Sequence, residues 1–159
     1  MAEHLYRATV AWKRHADADF PKGRYSRGHT WRFDGGVEVK AAASPYVVPR
    51  AFTPEDAVDP EEAFVASLSS CHMLTFLDLA RRAGFVVDSY EDAAEGVMEK
   101  NAAGRLWVSK VTLRPRIAYA GKEPAADELA RLHHDAHDLC FIANSVTTDV
   151  RVESDGDSS

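Results

Sequence analysis

A long apolar segment near the middle of the chain constrains the fold most strongly. It begins at Asp59, a good helix N-cap, followed by Pro60, which suits the first helical position. Glu62, three residues after the cap, completes a capping-box pattern. Small or apolar residues then continue on nearly every face until Gly84, a common C-terminal cap. The pattern predicts a helix of about 24 residues that lies buried at the centre of the fold.

Shorter segments on both sides of this helix have the patterns of strands and of a second helix. Strands are predicted at residues 6–13, 30–33, 37–41, 86–99, 105–119 and 147–152, and a second helix from near Pro124 to about Cys140. The turn residues Asp34-Gly35-Gly36 predict a hairpin between the second and third strands. This order of elements indicates an α+β domain. We expect residues 1–153 to form a single domain, with a frayed polar tail at 154–159.

Composition excludes several classes of function. The 159 residues are 45% hydrophobic and 28% charged, as in an ordinary soluble protein, and the net charge is −6. No basic cluster predicts a nucleic-acid partner. The first residues lack the apolar run of a signal peptide, and we expect no apolar stretch to be long enough to span a membrane. These observations predict a cytoplasmic protein, in which thiols are kept reduced.

The chain has two cysteines, and their settings differ. Cys71 lies inside the predicted long helix, and Cys140 follows 69 residues later, at the end of the second one. A lone buried thiol usually acts as a small hydrophobic group. A reactive cysteine needs a neighbour that stabilises its thiolate, and the helix dipole has faded at a mid-helix position. A reactive Cys71 would therefore need a nearby cation. His72 is a poor partner, because adjacent helical residues point about 100° apart.

The run Asp59-Pro60-Glu61-Glu62, followed by small and apolar residues up to Cys71, resembles the motif of the OsmC/Ohr family. The segment Ala83-Gly84-Phe85 and a second cysteine about 70 residues after the first also fit this family. The resemblance implies an OsmC-like fold, in which antiparallel sheets surround a long central buried helix and a second, shorter helix. It also implies an intertwined homodimer.

The resemblance implies a thiol peroxidase that reduces organic hydroperoxides and needs no metal or bound organic cofactor. The family's peroxidatic cysteine corresponds to Cys71 and its resolving cysteine to Cys140. Its glutamate corresponds to Glu61. Its arginine corresponds to Arg50, our first choice, or to one of an earlier pair in the chain. That pair is Arg24 and Arg27. A dithiol, either a small molecule or protein-bound, would reduce the Cys71–Cys140 disulfide.

Glu61 and Cys71 cannot meet within one straight helix. They are ten residues apart, which corresponds to about 15 Å along a helix axis. We therefore expect Glu61 to join the site of Cys71 from a second copy of the chain. A two-fold dimer would then contain this shared site twice.

Two features keep other functions open. His133 and His137 lie at i and i+4, and Cys140 lies a turn further, so these three residues could bind zinc. In addition, many family members have a proline directly after the second cysteine, where this chain has Phe141. The alternative to a peroxidase is a divergent relative that binds a ligand or a metal, or that acts as a redox sensor.

Overall fold

A computed structural model of the chain describes residues 2–153, which contain two α-helices and eight strands. The strands are β1 (Ala8–Ala11), β2 (His29–Phe33), β3 (Glu38–Ala41), β4 (Val87–Asp92), β5 (Glu95–Lys100), β6 (Leu106–Leu113), β7 (Pro115–Tyr119) and β8 (Asp149–Val152). The helices are α1 (Pro60–Arg82) and α2 (Ala126–Leu139), and short 3-10 turns lie at Phe20–Lys22, Arg50–Phe52 and Ala143–Ser145. The predicted tail at 154–159 lies outside the described residues.

The described residues form two compact units, 2–63 and 64–153, and the boundary falls in the first turn of α1. In the first unit, β1, β2 and β3 form an antiparallel sheet. The predicted hairpin is confirmed, with Gly36 at a φ of +86° in its turn, a conformation that glycine adopts without strain. The single domain expected over 1–153 stays a prediction.

The predicted ends of α1 are confirmed. An Asp59 carboxylate oxygen accepts the backbone N–H of Glu62 at 2.7 Å, and a Glu62 carboxylate oxygen accepts the backbone N–H of Asp59 at 3.2 Å. These reciprocal bonds satisfy two amides that the first helical turn leaves without partners. At the other end, Gly84 has a φ of +87°.

Within the single chain, α1 buries one face and not its whole surface. Its fully buried side chains form one stripe at four-residue spacing, namely Leu68, His72, Phe76 and Ala80. Leu74, on another face, is 61% exposed. Helical geometry places residues at i and i+4 on one face, so one stripe is all that a single layer of neighbours can cover.

The sequence predicted two long strands after α1, and the structure contains four shorter ones. In the second unit, β4 pairs with β7 in one sheet, while β5, β6 and β8 form another. The chain must therefore change sheets between β4 and β5 and again between β6 and β7. At the second change the backbone N–H of Arg114 donates to Asp92 at 2.6 Å, and Pro115, which lacks an N–H, begins β7. All these pairings are antiparallel except β6 with β8, which is parallel.

Two apolar clusters hold the second unit together. In the first, Phe76 and Ala80 of α1 pack with Phe85 and with Ala136 of α2. In the second, Leu68 of α1 packs on buried side chains of β6. These side chains are Val111 and Leu113. The clusters use different parts of the α1 stripe: Leu68 packs against the β5–β6–β8 sheet, and Phe76 and Ala80 pack against α2.

α1 is also long and apolar enough to cross a membrane, judged by length and composition alone. The expectation that no stretch of the chain would meet this criterion was therefore wrong. Core helices of soluble proteins pass the same test. The buried stripe of α1 lies against protein in both clusters, so length and composition do not assign a membrane span here.

Candidate active site

The two cysteines lie together in the second unit. Cys71 is half-buried on α1, whereas Cys140, directly after α2, is only 1% exposed, and both are free thiols. The thiols of Cys71 and Cys140 lie close enough to influence each other's electrostatics. Burial and this proximity both raise the pKa of Cys140 above its usual value. A raised pKa keeps the Cys140 thiol protonated at neutral pH.

The end of α2 positions Cys140 without the proline that many relatives have after it. Cys140 already has extended backbone angles, with φ −70° and ψ 111°. The Asn144 side-chain amide donates to the carbonyl of Asp138 at 2.9 Å, and its backbone N–H donates to the carbonyl of Cys140 at 3.0 Å. These bonds satisfy carbonyls at the helix end, which have no partners within the helix. Sequence reasoning missed Asn144, although asparagine is a known helix-ending residue.

Two buried histidines connect the cysteine-bearing helices. Nε2 of His72 on α1 and Nδ1 of His133 on α2 are 3.1 Å apart, and the ring planes are inclined by 13°. The pKa of each ring is lowered to about 4, mainly because the ring is buried and, for His72, also because His133 and His137 lie nearby. Both rings are therefore neutral at pH 7. Sequence reasoning considered both histidines but did not pair them.

In the first unit, Arg50 and Glu61 do not share an ion pair. Arg50 lies in a 3-10 turn, where its Nη1 is 2.9 Å from Oε1 of Glu55, and both side chains are largely exposed. Glu61, in the first turn of α1, has a buried oxygen, Oε2, that finds no hydrogen-bond partner among residues 2–153. A buried, unpaired carboxylate oxygen is costly, so a donor from outside the single chain would stabilise it.

Arg27 has a more enclosed setting than Arg50. Its Nη1 donates to the carbonyls of Gly23 and Tyr25 at 2.8 and 2.6 Å, and its guanidinium lies 3.7 Å from the centre of the Tyr25 ring. It lines a largely apolar cavity of about 480 Å³ within the first unit, together with Trp12 and Phe20. Among residues 2–153 no carboxylate pairs with Arg27. Arg24, the other early arginine, is exposed.

The histidine-rich turn of α2 does not assemble a metal centre in the described part of the chain. No group of three or more His, Cys, Asp or Glu side chains within residues 2–153 has an arrangement that could hold a metal ion. His133 faces His72 instead, and Cys140 faces Cys71. The structure thus brings Cys71 and Cys140 together but gives no support to a zinc site at His133, His137 and Cys140.

Comparison with known proteins reveals similar chains. Residues 53–155 match the sequence model described as OsmC-like protein. An OsmC-like protein of unknown function from Vibrio cholerae is 50% identical, with a TM-score of 0.92 over 97% of this chain and 99% of that one. A comparison with curated proteins gave no match.

More distant structures share the fold. An organic hydroperoxide resistance protein from Elizabethkingia anophelis is 18% identical, with a TM-score of 0.69 over 96% of this chain and 95% of that one. The organic hydroperoxide resistance protein OhrB of Bacillus subtilis has the same identity and TM-score over 95% and 98% of the two chains. The expected fold, with antiparallel sheets and two helices, is confirmed. Because the family's sequence model covers well over half of its length, this chain belongs to the OsmC-like family.

Proposed function

We propose that this protein is a cysteine-based peroxidase that reduces organic hydroperoxides to alcohols. The observation that carries the proposal is the proximity of a half-buried Cys71 to a buried Cys140 in an OsmC-like chain. A hydroperoxide can reach the first thiol, and the second is already beside it. Structural neighbours named for organic hydroperoxide resistance support this chemistry at the level of the family.

The reaction balances with these two thiols and one external dithiol. The Cys71 thiolate attacks the distal oxygen of the hydroperoxide, the O–O bond breaks, and the leaving alkoxide takes a proton to become the alcohol. Cys71 is then a sulfenic acid. The Cys140 sulfur displaces its hydroxyl group as water, which forms the Cys71–Cys140 disulfide. The dithiol reduces this disulfide by exchange and is itself oxidised.

An arginine cation would hold the Cys71 thiolate and polarise the peroxide, because a guanidinium stays charged and offers several donors. Arg50 was the first choice from the sequence. We now favour Arg27, because it borders an apolar cavity and has no carboxylate partner within residues 2–153, whereas Arg50 is exposed and paired with Glu55. Glu61, with its unpaired oxygen, would orient the arginine, and a second copy of the chain would supply both.

The proposal also includes a homodimeric assembly, a cytoplasmic location and a dithiol reductant. Large apolar side chains exposed on the single chain favour a homodimer, as in related OsmC/Ohr architectures; examples are Leu74, Val97 and Met98. Proteins of this family are soluble, which supports the cytoplasm as the location. The reductant is a dithiol, either a small molecule or protein-bound.

Single-turnover and multiple-turnover reduction of cumene hydroperoxide test the proposal. We expect Cys71→Ser to abolish consumption of the hydroperoxide. Without dithiol, Cys140→Ser should still consume about one equivalent per site, and it should leave Cys71 as a sulfenic acid instead of a disulfide, because the resolving thiol is gone. If Cys71→Ser and the wild type consume hydroperoxide at equal rates, the peroxidase assignment is wrong.

A further inference from the structure

The buried pair of His72 and His133 has a geometry that apolar packing alone does not require. The two side chains are 1% and 5% exposed, and their ring nitrogens Nε2 and Nδ1 are 3.1 Å apart. Phe76 stacks on His133 with ring centres 4.5 Å apart. In neutral imidazole one nitrogen donates and the other accepts, so one ring donates its N–H to the other.

This hydrogen bond is the polar contact that fixes the two rings. The outer nitrogens, Nδ1 of His72 and Nε2 of His133, are buried and have no hydrogen-bond partner within residues 2–153. If α1 and α2 slid past each other, the inner nitrogens would also lose their partner in a dry environment. Apolar contacts tolerate small slides, whereas a hydrogen bond has narrow limits of distance and angle. The pair therefore defines one register of the two helices.

The two helices joined by this bond carry the two thiols. His72 directly follows Cys71 on α1, and His133 lies seven residues before Cys140 on α2. The backbone N–H of Cys140 donates to the carbonyl of His137, one turn beyond His133, at 3.2 Å. The position of α2 is thus transmitted directly to Cys140.

We propose that the His72–His133 hydrogen bond is a positioning device that holds Cys71 and Cys140 in the register needed for their disulfide. The inference rests on the disulfide step of the proposed function and assigns these histidines no contact with the substrate. A disulfide needs its two Cα atoms within about 7 Å, so a small shift of α2 changes how readily the bond forms.

The device requires at least one neutral ring. A doubly protonated pair would place two donors face to face and abolish the bond. The other titratable groups around the pair are His137 on α2, Asp92 at the end of β4, and Tyr90 of β4, which packs against Phe76. Asp92 also accepts a hydrogen bond from Ser69 on α1.

Thiol–disulfide exchange with oxidised dithiothreitol tests the inference without any hydroperoxide. In this reaction the two protein thiols are oxidised to the Cys71–Cys140 disulfide while dithiothreitol is reduced, and the equilibrium constant reports how well the thiols are positioned. His133→Leu removes the bond, and we expect it to lower this constant about tenfold, the size expected when a buried polar group loses its partner. In the double variant His72→Gln/His133→Asn an amide pair replaces the imidazoles and should restore most of the wild-type value.

Phe76→Leu is the matched control, because it weakens packing in the same core but leaves both histidines. It should lower thermal stability with a much smaller effect on the exchange constant. If His133→Leu and Phe76→Leu change the constant equally, or if the Gln/Asn pair gives no rescue, the positioning role is wrong. If the wild type forms no such disulfide, both the inference and the disulfide step of the proposed function are wrong. If the wild type forms the disulfide but does not reduce cumene hydroperoxide, only the proposed function is contradicted.

Discussion

At the scale of single residues, the charged side chains of the first unit differ in whether they have an oppositely charged partner within residues 2–153. Arg50 is exposed and lies beside Glu55, an arrangement that contributes little to stability. Arg27 stacks on Tyr25, bonds backbone carbonyls and faces an apolar cavity, and Glu61 retains an unpaired buried oxygen. A buried polar atom without a partner calls for an explanation, and a missing partner at a functional site is one.

A pair of charge-removing variants separates the two arginines. We expect Arg27→Met to lower kcat/KM for cumene hydroperoxide about a hundredfold, the effect typical of losing one donor to a developing charge. Arg50→Met should change it little, because its side chain is exposed. Stopped-flow measurement of Cys71 oxidation checks the prediction, with thermal unfolding as the control for the structural bonds of Arg27. A large loss in Arg50→Met with normal Arg27→Met would instead identify Arg50 as the activating cation.

The sequence was enough to propose candidate residues for this site, but not to predict which side chains contact one another. The local motif from Asp59 to Cys71 made Glu61 and Cys71 candidates, and the family resemblance added Cys140. The bond between His72 and His133 joins residues 61 positions apart, and only the packing of α1 on α2 brings them together. Local periodicity contains no information on such a contact, so the sequence suggested His133 only as a zinc ligand and His72 only as a neighbour of Cys71.

At the scale of elements, local signals predicted α1 and its caps well and the strands after it less well. The capping box and Gly84 act within a few residues of the helix ends, so the sequence was sufficient. The breaks between β4 and β5 and between β6 and β7 depend on which strands pair, and those partners are distant in sequence. A continuous β-like pattern therefore predicted two strands where two sheets require four.

The close approach of β5 to α1 gives a prediction at this scale. A Cβ atom added at Gly96 would lie 2.6 Å from Cγ2 of Val65, a stiff β-branched side chain. We expect Gly96→Ala to lower the free energy of unfolding by about 1–3 kcal/mol, as overpacking does. Urea denaturation measures the change.

Two further variants make this test specific. Gly35→Ala, where an added Cβ meets nothing within 4 Å, should change stability by less than about 0.5 kcal/mol. Val65→Ala creates space beside Gly96, so in its presence Gly96→Ala should cost less. If Gly96→Ala is as mild as Gly35→Ala, β5 does not approach α1 as closely as described.

At the scale of the whole molecule, the buried histidine pair makes stability depend on pH. In the unfolded chain His72 and His133 bind protons near pH 6.5, whereas burial lowers the pKa of each to about 4 in the folded protein. Between these values the unfolded state binds more protons, so stability rises with pH. Above about pH 6.5 the two rings are neutral in both states and do not change the stability. As the pH falls towards 4, protonation of the unfolded chain lowers the stability of the folded protein.

Urea denaturation at pH 7, 5 and 4 measures this loss. We expect the free energy of unfolding to fall by an amount on the order of 3 kcal/mol for a ring whose pKa is lowered this far. The double variant His72→Gln/His133→Asn, which has no titratable ring at either position, should lose clearly less over the same range. An equal loss in both proteins would show that other groups cause the acid sensitivity.

The parallel pairing of β8 with β6 bears on how the molecule forms. Lys110 and Asp149, which face each other in this pair, are 39 residues apart, and the segment between them contains α2 and Cys140. Closing a long loop costs chain entropy before its contacts stabilise it, so such pairings form slowly. During synthesis β6 cannot complete its pairing until β8, which is nearly the last described segment, has been made. Because Cys140 lies within this loop, both cysteines have been synthesised before the pairing of β6 with β8 can complete the sheet.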